Sequence, residues 1–327
     1  MRHAAVAASL ILAGFITMPS PASAQETGRF ERTLTVQGPV DLSIFTGSGS
    51  IVVSPGADGT VHVVGTVRAN DWWRTNPADA RQAIQAVEAN PPVVQNGSRI
   101  EIGPIADREL ARRVSISYEV SVPRGTRLTS RSGSGSQRIG ALAGPVTVST
   151  GSGSVEVGAI GASVEISTGS GSVKVEGGKG RTSVSSGSGT VHAGAFDGDL
   201  QIRTGSGGIH VERVANGEVV LSSGSGSIEV RSLDGGLMAN SASGSIRVAG
   251  TPTRDWKVSS SSGRIDLDIP AGTAFRVEAN SSSGSIRTDH QMQVQSVGRR
   301  ELVGSVGEGG SLVTARTSSG SIAIRKS

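Results

Sequence analysis

Two stretches of sequence decide the fold, and both carry the same phrase. Residues 150–157 read Thr-Gly-Ser-Gly-Ser-Val-Glu-Val, and residues 168–175 read Thr-Gly-Ser-Gly-Ser-Val-Lys-Val. The second glycine of the phrase recurs every 18 to 21 residues, at Gly135, Gly153, Gly171, Gly189, Gly207, Gly226, Gly244, Gly263 and Gly284. An early copy contains Gly49 and a last copy contains Gly320. A period of this size is typical of stacked supersecondary units.

Each period contains two short strand patterns, one directly after the Gly-Ser turn and one midway to the next turn. Val155 and Val157 illustrate the first pattern, and Val164 and Ile166 illustrate the second. A flexible Gly/Ser linker would not keep apolar residues in phase with its glycines. Strands this short are stable only when each coil lies on the previous one and pairs with it in parallel, about 4.8 Å away. The sequence therefore predicts an all-β fold, a parallel β-solenoid (β-helix) with coils of about 18 residues.

The outward positions of the strands that follow the turn favour stacking in register. They read Arg138, Glu156, Lys174, His192, His210, Glu229, Arg247, Asp266 and Arg287. In a parallel stack these residues form one surface column, in which basic and acidic residues alternate on either side of the two histidines. Opposite charges on neighbouring strands attract, and like charges repel. We therefore expect the coils to be stacked without a register shift.

The turns and the spacing of their glycines lead to two further expectations. From Ala242 onward the first glycine of the phrase is replaced by Ala or Ser, whereas the second glycine remains. We infer that the second glycine adopts an obligatory backbone angle with positive φ. The step from Gly284 to Gly320 is 36 residues, twice the period. It predicts one degenerate coil at about residues 302–311.

The first 24 residues have the features of a secretory signal peptide. Arg2 and His3 precede an apolar run over residues 4–18, and Ala22-Ser23-Ala24 forms a small-x-small cleavage site before Gln25. The run is shorter than the roughly 20 residues that span a bilayer. The sequence predicts export to the periplasm, the cell surface or the medium, with no transmembrane segment after cleavage.

The mature chain divides into two predicted regions. Residues 25–130 are interpreted as N-terminal coils and a capping region, and residues 131–327 as the repeat solenoid, since a solenoid needs cover for its terminal strands. A helix is predicted over residues 77–89, with Asn76 as its N-cap and Pro77 at its first position. The pair Trp72-Trp73 is assigned to the core of the cap, with an exposed contact patch as the alternative.

Composition excludes several classes of function. There is no Cys, so disulfides and thiolate metal sites are excluded. Aromatic residues make up 3% of the chain, which disfavours binding of single-stranded nucleic acid and of sugars in an aromatic cleft. The formal net charge of +4 is too small to indicate a polyanion-binding protein. The sequence lacks HExxH, a phosphate-binding P-loop and GxSxG. We predict no catalytic residues, no cofactor and no nucleic-acid partner.

Two sets of residues keep alternatives open. His192 and His210, on adjacent coils, could share a transition metal, but no third ligand is evident, and two solvated members of the surface column are the preferred interpretation. The carboxylate pairs Asp266/Asp268 and Asp197/Asp199 raise the alternative of a polysaccharide lyase or hydrolase. Arg264 and Arg287 are expected to surround the first pair, and no aromatic platform lies near either pair in sequence. The non-catalytic interpretation is preferred.

The chain resembles the bacterial adhesin-like β-strand-repeat family, which is described as a domain of unknown function. The resemblance rests on the signal peptide, the step Val120-Ser121-Val122-Pro123 into the repeats, the serial Gly-Ser-Gly-Ser units and the closing residues 309–324. It implies an extracytoplasmic, right-handed β-solenoid with a role in adhesion or in the cell envelope, and no established catalytic site. From the long faces of the predicted solenoid, we predict a polymer or a protein at the cell surface as the partner.

Overall fold

A computed structural model describes residues 27–70, 77–103 and 105–327, and two helices and 27 strands lie within them. The helices are α1 (Pro77–Ala89) and α2 (Arg108–Arg113). The strands are β1 (Thr27–Thr35), β2 (Asp41–Thr46), β3 (Ile51–Pro55), β4 (Thr60–Ala69), β5 (Val93–Asn96), β6 (Arg99–Ile102), β7 (Val114–Val122), β8 (Arg127–Ser132), β9 (Gln137–Ile139), β10 (Val146–Thr150), β11 (Val155–Ile160), β12 (Val164–Thr168), β13 (Val173–Lys179), β14 (Thr182–Ser186), β15 (Val191–Asp197), β16 (Leu200–Thr204), β17 (Ile209–Ser223), β18 (Ile228–Ser241), β19 (Ile246–Thr251), β20 (Trp256–Ser260), β21 (Ile265–Ile269), β22 (Phe275–Ser281), β23 (Ile286–Thr288), β24 (Gln293–Val297), β25 (Glu301–Val306), β26 (Ser311–Thr317) and β27 (Ile322–Lys326). The predicted all-β class is confirmed.

The strands form two long stacks in a β-solenoid-like repeat. The post-turn stack contains the strands that follow the glycine turns, and β9, β11, β13 and β15 pair in parallel along it. The mid-coil stack contains the strands between turns, and β8, β10, β12, β14 and β16 pair in parallel along it. Each strand thus pairs with the second next strand in sequence, because every coil contributes one strand to each stack.

The core lies between the stacks and consists almost entirely of aliphatic side chains. Alternation along each strand sends Val155 and Val157 inward from the post-turn stack, and Val164 and Ile166 inward from the mid-coil stack, each with at most 2% exposure. Larger side chains fill the core near its ends, with Tyr118 at one end and Trp256 and Phe275 at the other. One coil alone buries too little apolar surface to offset its ordering entropy, so the stack folds through contacts between coils.

The N-terminal end is covered by antiparallel strands. Strand β7 pairs in parallel with β3 on one side and antiparallel with β4 on the other, and β4 pairs antiparallel with β1. Helix α1 packs on this hairpin through buried Ala83, Ile84 and Val87. It occupies the residues over which the sequence predicts a helix. The predicted signal peptide, Trp72-Trp73 and the N-cap residue Asn76 lie outside the described residues.

The C-terminal end differs from the expectation of one degenerate coil at about residues 302–311, which is wrong. Strands β24 and β25 form an antiparallel hairpin, and β25 pairs antiparallel with β22. The last coil, β26–β27, inserts between the coil β20–β21 and the coil β22–β23 in parallel register. The coil β22–β23 therefore does not pair with the coil β20–β21 that precedes it in sequence, and the later coil β26–β27 lies between them. The hairpin covers the free edge of β22.

Candidate functional site

The surface column predicted from the sequence is a continuous line along the post-turn stack. Its members lie opposite one another in direct register from strand to strand. In order along the stack the line runs Glu119, Val52, Arg138, Glu156, Lys174, His192, His210, Glu229, Arg247, Asp266, Ala323 and Arg287. We call this line the charge column.

One expected neighbour relation in the charge column is wrong. Arg287 does not follow Asp266, because the inserted strand β27 places Ala323 between them. The same insertion brings Arg325 beside Asp266, at 2.9 Å between Nη2 and Oδ1. The sequence offered no signal for this contact, since Arg325 is 59 residues away and the repeat spacing assigns its coil to the end of the stack.

Charges on neighbouring strands pair along the column. The Nε group of Arg138 donates to Oε2 of Glu156 at 2.8 Å. This hydrogen bond and the guanidinium charge lower the pKa of the Glu156 carboxyl below its ordinary value, and the charge of Lys174 on the other side acts in the same direction. Both side chains are more than half exposed, so the pair supports register more than stability.

The two histidines stack on each other in the middle of the column. Their ring centroids are 5.0 Å apart, and the ring planes are within 12° of parallel. Nδ1 of His210 lies 3.2 Å from Oε2 of Glu229, and this contact is the main cause of a lowered pKa of the Glu229 carboxyl. His192 has Lys174 as its other neighbour in register.

These histidines bring together two imidazoles and one carboxylate in a row, which is a poor metal site. Ligands on one line do not surround an ion, whereas zinc needs three or four converging ligands. Across the described residues no group of three or more His, Cys, Asp or Glu side chains is arranged to hold a metal. The structure therefore offers no converging third ligand, among the described residues, for a metal shared by His192 and His210.

Asp266 is the one charged member of the column that is buried, with a side chain only 5% exposed. Its carboxylate contacts Nη2 of Arg325 at 2.9 Å, Nε of Arg264 at 3.1 Å and Nη2 of Arg247 at 3.9 Å. Asp268 lies 3.6 Å from Arg325. The oxygens that a glycosidase would use on substrate are occupied by guanidinium groups, so this pair has the surroundings of a structural ion cluster.

The turn glycines form a second ladder, and the reason for them differs from the expected one. None of the repeating second glycines has a positive φ; in the described residues the positive angles occur elsewhere, as at Gly180 and Gly198. A Cβ at Gly171 would lie 1.8 Å from the carbonyl oxygen of Gly153. Equivalent distances from Gly135 through Gly320 and Gly284 are 1.8–2.0 Å. Glycine is required by close approach of stacked backbones, and the predicted backbone angle is wrong.

Buried hydroxyls complete each turn. Thr168 Oγ1 accepts a hydrogen bond from the Gly171 N–H at 3.1 Å, and Ser186 Oγ accepts one from the Gly189 N–H at 2.9 Å. The same contact recurs from turn to turn. Since these hydroxyls satisfy the turn donors, they serve the fold and are not free to act as nucleophiles.

Comparison with known proteins gives a family and four matching chains among solved structures, including one from Clostridium sporogenes and one from Bacteroides fragilis. Among curated proteins, no match is found. A "putative cell adhesion protein" from Clostridium sporogenes matches with 10% identity over 91% of this chain and 100% of its own, with a TM-score of 0.20. A "putative adhesin" from Bacteroides fragilis matches with 11% identity over 91% of this chain and 97% of its own, with a TM-score of 0.29. The profile of the Toastrack DUF4097 family matches residues 114–325, and the chain therefore belongs to that family.

Proposed function

We propose that this protein is an exported, non-catalytic binding protein of the cell envelope or cell surface, and that it acts in adhesion through its long, regular faces. Export is supported by the signal-peptide pattern ending at Ala24. Among the described residues, no helix has the length and apolar character needed to cross a bilayer. We further propose that the coils wind right-handed, as nearly all parallel crossover connections do.

The observation that carries the proposal is the unbroken register of outward positions along the stack, most of which are exposed, with Asp266 and Ala323 buried among them. The charge column crosses the post-turn stack from Glu119 to Arg287, which corresponds to about 53 Å at about 4.8 Å per strand. A surface of this kind presents the same type of contact many times in one direction. It suits an extended partner that is held by many weak contacts, whose contributions multiply when they act together.

Catalysis is not part of the proposal. The carboxylate pair at Asp266 and Asp268 is engaged by Arg264 and Arg325, and it therefore does not favour the polysaccharide lyase or hydrolase. Assays for new reducing ends and for unsaturated products on pectin, alginate and peptidoglycan test this part. Product formation that persists after purification and is lost in Asp266→Asn would overturn the non-catalytic assignment.

Cell fractionation tests export and location. A C-terminally tagged protein should appear in the periplasm, the outer surface or the medium, and its N-terminus should be Gln25. Purified protein should then sediment with intact cells or isolated envelopes. Cytoplasmic protein that retains Met1 would refute export. Mature protein that sediments with no envelope fraction would refute the binding role and would favour a structural spacer.

A further inference from the structure

The mid-coil stack carries a second line of outward side chains, which differs in character from the charge column. Its members lie opposite one another in direct register. In order the line runs Phe45, Arg131, Ser149, Ser167, Ser185, Arg203, Ser222, Asn240, Ser259, Arg316 and Asn280. We call it the arginine row. It contains no acidic residue, and its arginines are separated by three neutral, polar residues each time.

The three arginines of this row are exposed, and none makes an ion pair or a side-chain hydrogen bond with any residue in the described ranges. On the post-turn stack Arg138, Arg247 and Arg231 each contact an acid, whereas Arg287 has no acid partner among the described residues. Three unpaired guanidiniums on one line keep their donors available for an external anion.

Spacing along the row is regular. Arg131, Arg203 and Arg316 are four strands apart in each interval, so successive guanidiniums are separated by about 19 Å at about 4.8 Å per strand. Sequence spacing hides this regularity, since the intervals are 72 and 113 residues. The second interval equals the first in space only because the last coil is inserted beside β20.

Neighbouring groups have the chemistry of glycan binding. A depression of about 370 Å³ adjoins Arg316 and is lined by nine residues. Ser241, Ser260 and Thr317 among them are buried and hold the turns with their hydroxyls, and the other six are Ser, Asn or Arg. At the other end of the row, Phe45 is 43% exposed and lies directly beside Arg131. Hydroxyls and amides pair with sugar hydroxyls, and an exposed aromatic ring provides a surface on which a sugar ring can stack.

The adjacent outward line of the same strands adds only a few charges. From Glu101 at one end to Glu278 at the other, it contains Lys257 as a base and Glu101, Glu165 and Glu278 as acids, and its other members are uncharged. None of these four charges forms an ion pair with an arginine of the row. The mid-coil face therefore carries a slight positive excess, widely spaced, on a mostly hydroxyl-bearing surface.

We propose that the arginine row binds an extended, sparsely charged anionic polysaccharide whose chain lies along the axis of the stack. The proposal rests on the binding role proposed above and names the face and the ligand class. A nucleic acid fits less well, because a DNA strand carries one phosphate per 3.4 Å and would find one guanidinium per about 19 Å. Carboxylates spaced along a glycan meet the guanidiniums, and sugar hydroxyls between them meet Ser149, Ser167 and Ser185.

Binding of purified protein to long hyaluronan oligosaccharides, measured by calorimetry at low and physiological salt, tests the proposal. Arg203→Gln should weaken binding about fivefold, the value of one exposed charge contact. The combination of Arg131→Gln, Arg203→Gln and Arg316→Gln should weaken it about a hundredfold, because the sites are far apart and their effects add. Neutral hyaluronan methyl ester should bind as weakly as the triple variant.

The matched control removes three exposed charges that lie outside both the charge column and the arginine row, as Arg124→Gln, Arg213→Gln and Arg299→Gln. It has the same net charge as the row variant and should lose no more than about threefold in affinity, through screened long-range attraction. Equal losses of affinity in both triple variants would show that only net charge matters and would overturn the proposal. Tighter binding to single-stranded DNA or heparin than to hyaluronan would replace the sparse polysaccharide with a dense polyanion.

Failure of this proposal is distinguishable from failure of the proposed function. If wild-type protein does not bind hyaluronan but sediments with envelopes, the ligand class is refuted and the binding role is retained. Wild-type protein that does neither refutes both. Envelope binding that survives the row triple variant assigns binding to another face and overturns the row as the binding surface.

Discussion

Replacement of Gly171 by Ala tests whether stacked turns need glycine for close approach. The added Cβ would lie 1.8 Å from the Gly153 carbonyl oxygen, whereas real Cβ contacts are essentially never below 3.0 Å. The two coils must therefore separate locally by about 1.2 Å, in a ladder whose hydrogen bonds are 2.9 Å long at Val155 and Val173. Loss of two such bonds and the overpacking strain together cost about 3 kcal/mol.

Thermal and urea unfolding of the variant measure this cost, and we expect the melting temperature to fall by roughly 6–12 °C. Gly169→Ala, in the same turn, is the matched control. Its Cβ would meet the Gly151 oxygen at 2.4 Å, and the equivalent position in the turn of Gly244 holds Ala242. The control should cost about 1 kcal/mol. Equal destabilisation by the two substitutions would refute the close-approach explanation.

Three further predictions concern charges and packing. In a carbon-detected NMR titration, the pKa of the Glu156 carboxyl should lie below the ordinary Glu value and should rise toward it in Arg138→Gln. Because the folded pKa is lowered, the stability that the pair contributes is present above the ordinary pKa and is lost as pH falls through the folded pKa. The same Glu156 pKa in wild type and Arg138→Gln would contradict the pairing. Asp266→Ala should lower the free energy of unfolding by about 2 kcal/mol, since it removes a buried partner of two guanidiniums. Asp268→Ala should lower it far less, because the Asp268 side chain is 24% exposed and makes one contact at 3.6 Å. Equal free-energy losses in urea titrations of the two variants would contradict the ion cluster. Phe196→Ala should cost about 3–4 kcal/mol because this side chain is 3% exposed, and a loss below 1 kcal/mol would show that the core collapses there.

The repeated part of the fold was readable from the sequence because each coil repeats the same local chemistry. Glycine spacing set the period, and alternation at Val155 and Val157 set the inward face. Alternating charges from Arg138 to Lys174 indicated the register. These signals are local and recur in every coil, so a prediction that is ambiguous in one coil can be decided from its neighbours.

The ends of the stack were beyond the reach of the same signals. The glycines do not reveal that β26–β27 inserts between two earlier coils, since Gly284 and Gly320 carry the same turn whichever of them comes first in the stack. Antiparallel pairing of β25 on β22 depends on a free edge that exists only after the other coils have stacked. Long-range order of this kind has no local sequence signature.

The candidate sites divide in the same way. The charge column follows from a single repeat position and was therefore predictable, including the adjacent His192 and His210. Arg325 beside Asp266 and Arg316 in the arginine row both come from the inserted coil. Their neighbours are set by the order of coils in space, which the order in sequence does not give.

Spin-label distances across the arginine row test the central claim, that distant segments are aligned on one regular face. The sequence has no Cys, so Arg131→Cys/Arg203→Cys and Arg131→Cys/Arg316→Cys can be labelled cleanly and measured by double electron–electron resonance. We expect backbone separations of about 19 Å and about 38 Å, a ratio of two, although the sequence separations are 72 and 185 residues. A second distance that is equal to or shorter than the first would contradict the stacked order on which the proposed binding face depends.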